Sequence, residues 1–588
     1  MKIFNNELET FTKNKNRSWN KFYENAKCPK VPEGSLYQFL EEQSGKMYGE
    51  IAINYFGRLI TYRELFREID LCAKAFKATG IRENDVVSIC MANTPEAVIA
   101  FYALSKIGAV ANMIHPLSAE QEIKESLIAT KSVMLVTINL AYKNIKNIIE
   151  ETDVYKVVIV SAKDSMPRVT SLGYYFIADR LVEVPKSTEK FMQWKDFRLK
   201  GLRYSTDVLV KKDKDDTAVI LHSGGTSGTP KHILLRNGGI NIVIRQGKVF
   251  LPELTVGDNM LAILPMFHCF GLVECIHFPL CSGMTVTLVP KFDASRFDKL
   301  LTKYHPTVIP GVPTLFEALI SNKHMETVDL CDVKYVVSGG DTLNEEKNKA
   351  VNKFLKTHNC HHNIVQGYGM TESSGGFIFA GLGSSDVLGS VGIPLIGNDM
   401  KIVDIDTGKE LGPNKTGEIM LSGPAIMKGY LNNEKETNEV LEKDEKGNIW
   451  VHTGDAGYIN EDGVLFFKQR IKRMLIVSGY NVYPSHIEEI LLESGLVKEC
   501  CVIGIPHPYK VQVPKAYIVL KEGVEESAVT EREIRKYCEK NLARYSLPKE
   551  YVFRKSLPKT MIGKVSYKEL EKENEKTMAE KKAKQEEK

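Results

Sequence analysis

Residues 223–231 read Ser-Gly-Gly-Thr-Ser-Gly-Thr-Pro-Lys and form the stretch of this chain best equipped to hold a phosphate. Gly224, Gly225 and Gly228 let the backbone approach an anion and turn its N–H groups inward. Ser223, Thr226, Ser227 and Thr229 offer hydroxyl donors, and Lys231 adds charge. The spacing is not that of a Walker A loop, in which Lys follows Gly directly; here Thr229-Pro230 intervenes, and Pro230 has no N–H to give. A flexible Gly/Ser surface loop is the plain alternative.

A second stretch, Gln366-Gly367-Tyr368-Gly369-Met370-Thr371-Glu372, combines a ring that can stack on a base (Tyr368), a hydroxyl for a phosphate oxygen (Thr371) and a hard oxygen ligand suited to Mg²⁺ (Glu372). A Thr and Glu capping a helix is its bland counterpart. Ser338-Gly339-Gly340-Asp341-Thr342 follows a strand pattern, and its glycines admit close contact with a flat ring, or simply turn strand into helix. His268, in Pro265-Met266-Phe267-His268, reads on its own as a satisfied core histidine.

These groups need a scaffold that brings distant loops together. From residue 35 to 289, β-rich runs at 50–55, 85–91, 133–137 and 155–160 alternate with helical patterns at 62–79 and 95–107, which predicts an α/β fold with parallel sheets and helices on their faces. The polar stretch 163–214 reads as a long surface excursion before a strand at 217–221. Beyond residue 389, short strands between turn signals such as Asp406-Thr407-Gly408 predict a small β-barrel part. A chain of 588 residues exceeds one core, so we expect an N-terminal domain over 1–469, a small α+β domain over 470–572 and a charged tail over 573–588.

The 78 basic and 74 acidic residues are interspersed, which leaves no basic stripe for nucleic acid. The longest apolar stretch, 97–117, is broken by Lys106 and His115, so no spanning helix is expected and any membrane contact would be peripheral. Eleven scattered cysteines without a C-x-x-C pair fit reduced thiols in a cytoplasm; Cys360-His361-His362 has no second ligand cluster to make a metal site.

Taken in order from about residue 58 to 568, the motifs resemble those of the adenylate-forming superfamily of acyl-CoA synthetases, luciferases and peptide-synthetase adenylation domains. The resemblance implies that 223–231 binds ATP phosphates, and that Gly339, Gly340, Asp341, Gly367, Tyr368, Gly369 and Met370 surround the adenylate. Thr371 and Glu372 would act on phosphate and magnesium, and Asp455, with Arg470, on ribose. It places His268 with Phe267, Phe270, Val312 and Pro313 beside the acyl pocket, Lys472 at a hinge between domains, and Lys564 on the substrate carboxylate and α-phosphate during adenylation. After rotation about that hinge, the loop with Ser478, Gly479 and Tyr480 would meet coenzyme A.

The implied reaction joins an anion to a polyanion, so the Mg²⁺ on Glu372, the cradle, Lys231 and Lys564 would place positive charge where negative charge gathers. Departures from the family pattern are His232 for Gly, Gln469, Arg473, Ser478, Tyr480, His486, Ser546 and Tyr567; all but His232 lie at or beyond the domain junction. With no Asp in 267–272 to pair an ammonium, and with Val312, Pro313, Leu315, Phe316, Phe267, Phe270 and Leu272 apolar, the expected substrate is a medium or long fatty acid, with an aromatic acid second. Coenzyme A is the expected acceptor. The alternatives are a stand-alone ligase loading an acyl carrier protein and a non-catalytic sensor of ATP or acyl-AMP.

Overall fold

The computed structural model describes residues 8–9, 17–23, 26–177, 180, 182, 184–185, 187–223, 231–341, 343–385, 387–477, 480–507, 511–542, 544, 546–559 and 565–586. They belong to two compact units. One comprises 1–400, 420–452 and 462–464, and the other 401–419, 453–461 and 465–588.

The first unit contains two large sheets. In one, Thr217–Ser223, Val110–Ile114, Val86–Cys90, Met134–Ile138, Lys156–Val160 and Phe191–Gln193 run parallel side by side. Val110–Ile114 and Met134–Ile138 are buried at every residue, as strands covered on both faces must be. The helices Tyr62–Ala78 and Pro95–Lys106 are capped by Thr61 and Thr94, whose side chains accept the backbone N–H groups of Glu64 and Ala97. Lys231–Arg236 and Gly429–Tyr430 extend the sheet antiparallel at one edge.

In the other sheet, Thr285–Leu288, Asn259–Ala262, Val308–Gly311, Tyr335–Ser338 and Ile364–Met370 are parallel neighbours. The α/β class and the large N-terminal unit are therefore as the alternation predicts. The stretch 163–214 corrects the surface-excursion reading. It forms the edge strand Phe191–Gln193 and the helix Trp194–Leu202, which packs on Tyr62–Ala78 through Phe197, fully buried and edge-on to Phe76 at 4.9 Å. Two buried aromatics, Trp194 and Phe197, with a closely packed Gly201 suffice to dock this short helix amid polar sequence.

The second unit has a five-stranded sheet in which Leu475–Val477, Val511–Leu520 and Val497–His507 pair antiparallel and Glu550–Phe553 joins in parallel. Pro484–Glu493 and Ala528–Asn541 bury Ile487, Leu491, Ile534 and Cys538 in its core. The charged C-terminal stretch continues the helix Tyr567–Glu586, which is anchored by fully buried Leu570 and by Asn574, whose Oδ1 accepts from Lys515 Nζ at 2.9 Å.

Phe197→Ala should destabilise the first unit by about 3 to 5 kcal/mol, the cost of truncating a buried phenylalanine. Urea unfolding followed by tryptophan fluorescence checks this; a loss under 1 kcal/mol would mean that the helix is dispensable.

Candidate adenylation site

Four neighbouring parallel strands end at one edge of the nine-stranded sheet, where ligands of open α/β sheets bind. Asn259–Ala262 leads to Phe267 and His268, Val308–Gly311 to Val312 and Pro313, Tyr335–Ser338 to Gly339, Gly340 and Asp341, and Ile364–Met370 to Thr371 and Glu372. Register aligns them, with Gly311 opposite Ser338 and Ser338 opposite Gln366. Asn93, 3% exposed, pins the first loop: its Nδ2 donates to the carbonyls of Ala262 and Leu264, and its Oδ1 accepts Met266 N at 2.9 Å.

The glycines make room for side chains. A Cβ on Gly339 would lie 2.9 Å from the Phe270 ring, and one on Gly340 would lie 3.6 Å from Val312, so Phe270, Val312, Gly339 and Gly340 form one neighbourhood. Gly369 is forced outright, because a Cβ there would meet the Gly375 carbonyl at 1.9 Å. Phe267 and His268 are half-buried, and Phe267 rests on the His115 ring at 4.3 Å. Leu315 and fully buried Phe316, expected along an acyl channel, pack instead into the hydrophobic cluster with Leu261, Ile309 and Val336. Tyr368 is buried, 9% exposed.

Glu372 is 7% exposed, and its Oε1 accepts the Tyr430 hydroxyl at 2.9 Å. Lys231 lies over the ring of that same Tyr430 at 4.6 Å and pairs with Glu436 at 3.2 Å. Lys231 and Glu372 thus both contact one phenol. Among the described residues no three His, Cys, Asp or Glu side chains gather as a ligand set, and the donors on offer, the Glu372 carboxylate and the Thr371 hydroxyl, suit an ion that arrives with nucleotide phosphates.

Ser223 and Lys231 are the last cross-strand pair before the cradle, and Gly224, Gly225, Thr226, Ser227, Gly228, Thr229 and Pro230 lie outside the described residues. One pair further in, His222 and His232 face each other. Their Nδ1 atoms are 2.9 Å apart, and His222 Nε2 is 2.7 Å from Asn112 Oδ1. Burial lowers both imidazoles, His222 to about 3 with His232 adding to the effect.

In the second unit Asp455 and Arg470 are cross-strand partners joined by an ion pair of 3.0 Å, and Asp455 is 2% exposed. Thr453, in the same strand Ile449–Ile459, ties neighbouring strands: its hydroxyl donates to Ile419 O, and its carbonyl accepts from Arg470 Nη1 at 3.2 Å. Lys472 is exposed in the short helix Ile471–Arg473. Gln469, 2% exposed, accepts both the N–H and the hydroxyl of Ser485 at the start of Pro484–Glu493. Arg473 binds Glu488 at 2.5 Å and stacks on Tyr567 at 5.1 Å. Ser478 and Gly479 lie outside the described residues, as does Lys564, whose segment is bracketed by the bridge between Lys559 and Val565; Tyr480 opens the strand Tyr480–Val482.

Glu274 is a site residue the motifs do not reveal. It sits on the π-helix Phe270–His277, one turn beyond Phe270, and its Oε1 accepts Gly376 N at 2.5 Å while its buried Oε2 has no partner among the described residues. Burial pushes its carboxyl up to about 8, so it is protonated at neutral pH. An unfolded Glu ionises near 4.3. The folded form therefore loses stability as pH rises from there through about 8. Glu274→Gln, which imitates the neutral acid, should flatten that part of the thermal-stability profile between pH 5 and 9; parallel profiles for the two proteins would refute the buried neutral acid.

Comparison with known proteins identifies the family. The sequence model of the AMP-binding enzyme family matches residues 40–431, and that of the AMP-binding enzyme C-terminal domain matches 486–564. The chain is 30% identical over 543 residues to a long-chain-fatty-acid–CoA ligase of Bacillus subtilis (strain 168), covering 91% of this chain and 94% of that one. It is 29% identical over 521 residues to 4-coumarate–CoA ligase 4 of Arabidopsis thaliana, covering 87% and 86%. In fold it matches an anthranilate CoA ligase, AuaEII, solved with anthranoyl-AMP (TM-score 0.78, 24% identity, 92% and 96% covered). ATP-bound MatB from Rhodopseudomonas palustris also matches (TM-score 0.78, 23% identity, 91% and 98% covered). With a family match across two thirds of its length, the chain belongs to the AMP-binding enzyme family.

Proposed function

We propose that this adenylate-forming acid–thiol ligase activates a medium- or long-chain fatty acid with ATP and passes the acyl group to coenzyme A. The observation that carries the reading is that Tyr430 touches both Lys231, over its ring at 4.6 Å, and Glu372, through its hydroxyl at 2.9 Å, a cation and a carboxylate of the kind an ATP–magnesium complex needs. The fatty acid is supported by the apolar Phe267, Phe270 and Val312 and by the likeness to a fatty-acid ligase. An aryl acid is the second reading, favoured by the likeness to 4-coumarate ligases.

In this reading the substrate carboxylate attacks the α-phosphorus of ATP and pyrophosphate leaves. Lys231 and the 223–231 cradle hold the departing phosphates, Tyr430 orients Glu372, and Thr371 donates to a phosphate oxygen. Magnesium held by Glu372 would offset the charge of the phosphates. Asp455, its position fixed by Arg470, accepts the ribose hydroxyls. Residues 1–469 carry this half-reaction. Residues 470–572 bring Lys564 to the carboxylate and then turn about Lys472, so that Ser478, Gly479 and Tyr480 receive the thiol, with 573–588 as a tail. The eleven free cysteines support a reducing cytoplasm as its place of action.

Acid-dependent exchange of pyrophosphate into ATP, run across a panel of fatty and aryl acids and followed by thioester formation with coenzyme A, tests the reading. No exchange with any fatty acid, alongside exchange with aryl acids, would transfer the assignment to the second reading. In the same assay Glu372→Gln should raise the magnesium needed for half-maximal exchange about tenfold, a loss of about 1.4 kcal/mol; an unchanged requirement removes Glu372 from the metal.

Lys564→Ala should lower adenylation by roughly 10² to 10³, as loss of one donor to developing charge does, while thioester formation from supplied acyl-AMP survives. Lys472→Pro, by fixing φ at the hinge, should do the reverse. Equal loss of one half-reaction in both variants would overturn the two-conformation cycle.

A further inference from the structure

The helix Arg168–Ile177 is amphipathic the wrong way round for a soluble surface. Val169 is 86% exposed, Leu172 60%, Phe176 55% and Tyr175 42%. At 3.6 residues per turn these four fall within an arc of about 120°, with Arg168 inside it. The opposite side carries Thr170, Ser171 and Tyr174; Ser171 and Tyr174 are half-buried, and Tyr174 is close enough to act on the buried hydroxyl of Tyr55. Ser171 and Tyr174 thus lie toward the protein, Thr170 is exposed, and the apolar arc of Val169, Leu172, Tyr175 and Phe176 faces outward.

The helix is held in that pose at its start. Ser165 and Met166, just before it, are buried, Ser165 Oγ donates to buried Glu96 at 2.5 Å, and Ser171 N donates to Pro167 O at 2.8 Å. Cations flank the helix in sequence, beside the exposed Asp164. Lys163 stacks over the Tyr175 ring at 4.6 Å, and Arg168 and Arg180 are exposed.

We propose that this helix docks the protein on an anionic lipid surface, lying in the plane of the interface. Ten residues cannot span a bilayer, which needs about 20, but they can sink an apolar face to the level of the acyl chains. Tyr175 has the ring and hydroxyl that suit the boundary between headgroup and chain, and Lys163, Arg168 and Arg180 match anionic headgroups. A second copy of this chain fits less well, because a two-fold contact would set these same cations against themselves. The docking stands whichever acid the enzyme activates.

The full-length protein is mixed with phosphatidylcholine vesicles, with and without phosphatidylglycerol, and sedimented; pyrophosphate exchange on a water-soluble acid reports that each variant is folded. The wild type should sediment with the anionic vesicles and be released by salt. Leu172→Asp combined with Phe176→Asp should weaken that binding at least about tenfold without changing exchange. Arg168→Glu with Arg180→Glu should abolish the preference for phosphatidylglycerol. Wild type left in the supernatant of anionic vesicles, or bound as well by the double aspartate variant, overturns the proposal. So does a dimer in sedimentation velocity that the double aspartate variant dissolves, which would assign the face to a second copy.

Discussion

The backbone hydrogen bonds between Asn259–Ala262, Val308–Gly311, Tyr335–Ser338 and Ile364–Met370 set where the loops carrying Phe267, Val312, Gly340 and Thr371 can stand. Parallel strands admit no hairpin between neighbours, so each must end in a loop on the same edge before the chain returns. A slip of one residue in any pair would turn a strand's side chains to the opposite face. The pairing of Gly311 with Ser338 and of Ser338 with Gln366 therefore fixes more than the sheet. It determines that Val312, Gly340 and Thr371 emerge together.

That edge is crowded, and the crowding gives the glycines a different purpose from the one their motifs suggest. Read as sequence, Gly339 and Gly340 leave space for a flat ring. In the fold, Gly339 admits Phe270 and Gly367 admits Phe379, while Gly375 and Gly376 lie against the Glu274 carboxyl. The helix Phe270–His277 is seated on the strand ends by these contacts. Its π geometry places Phe270 and Glu274 on the sheet side one turn apart. The loops do not simply border an open cleft; they are held by a helix that carries both an aromatic wall and a neutral acid.

Alternation of β-rich and helical patterns makes the parallel sheets legible, and the motif glycines, Thr371, Glu372, Asp455 and Arg470 are recognisable as short strings. What escapes is whatever depends on one residue far away in sequence. Tyr430 reaches Glu372 across 58 positions, and Asn93 reaches the loop before Phe267 across about 170, each as a lone Tyr or Asn in an ordinary strand or turn. Glu274 is hidden for another reason: a Glu between Val and Cys looks like a solvated residue of a helix, and only the packing of Gly375 and Gly376 against it removes the water. The polar stretch 163–214 misleads because average composition conceals the few residues, Trp194 and Phe197 above all, that dock a helix.

The departures from the family pattern are not independent of one another. Arg473 stacks on Tyr567, so two unusual residues 94 positions apart in the sequence satisfy each other in the second unit. His232, unusual beside the cradle lysine, is matched to His222 in the same way, and the tautomers follow from the partners. Asn112 Nδ2 donates to the hydroxyls of Ser88, Ser126 and Thr130, which leaves its Oδ1 as acceptor for His222 Nε2–H. The Nδ1 of a neutral His222 is then an acceptor, so His232 must donate from its own Nδ1. A proton on His222 would place two donors face to face, which acts in the same direction as the desolvation and the neighbouring His232 that lower its pKa. Glycine at position 232 would leave that acceptor without a partner. The imidazole pair thus exchanges the freedom of a glycine for a hydrogen bond that clamps the two strands one residue pair behind Ser223 and Lys231.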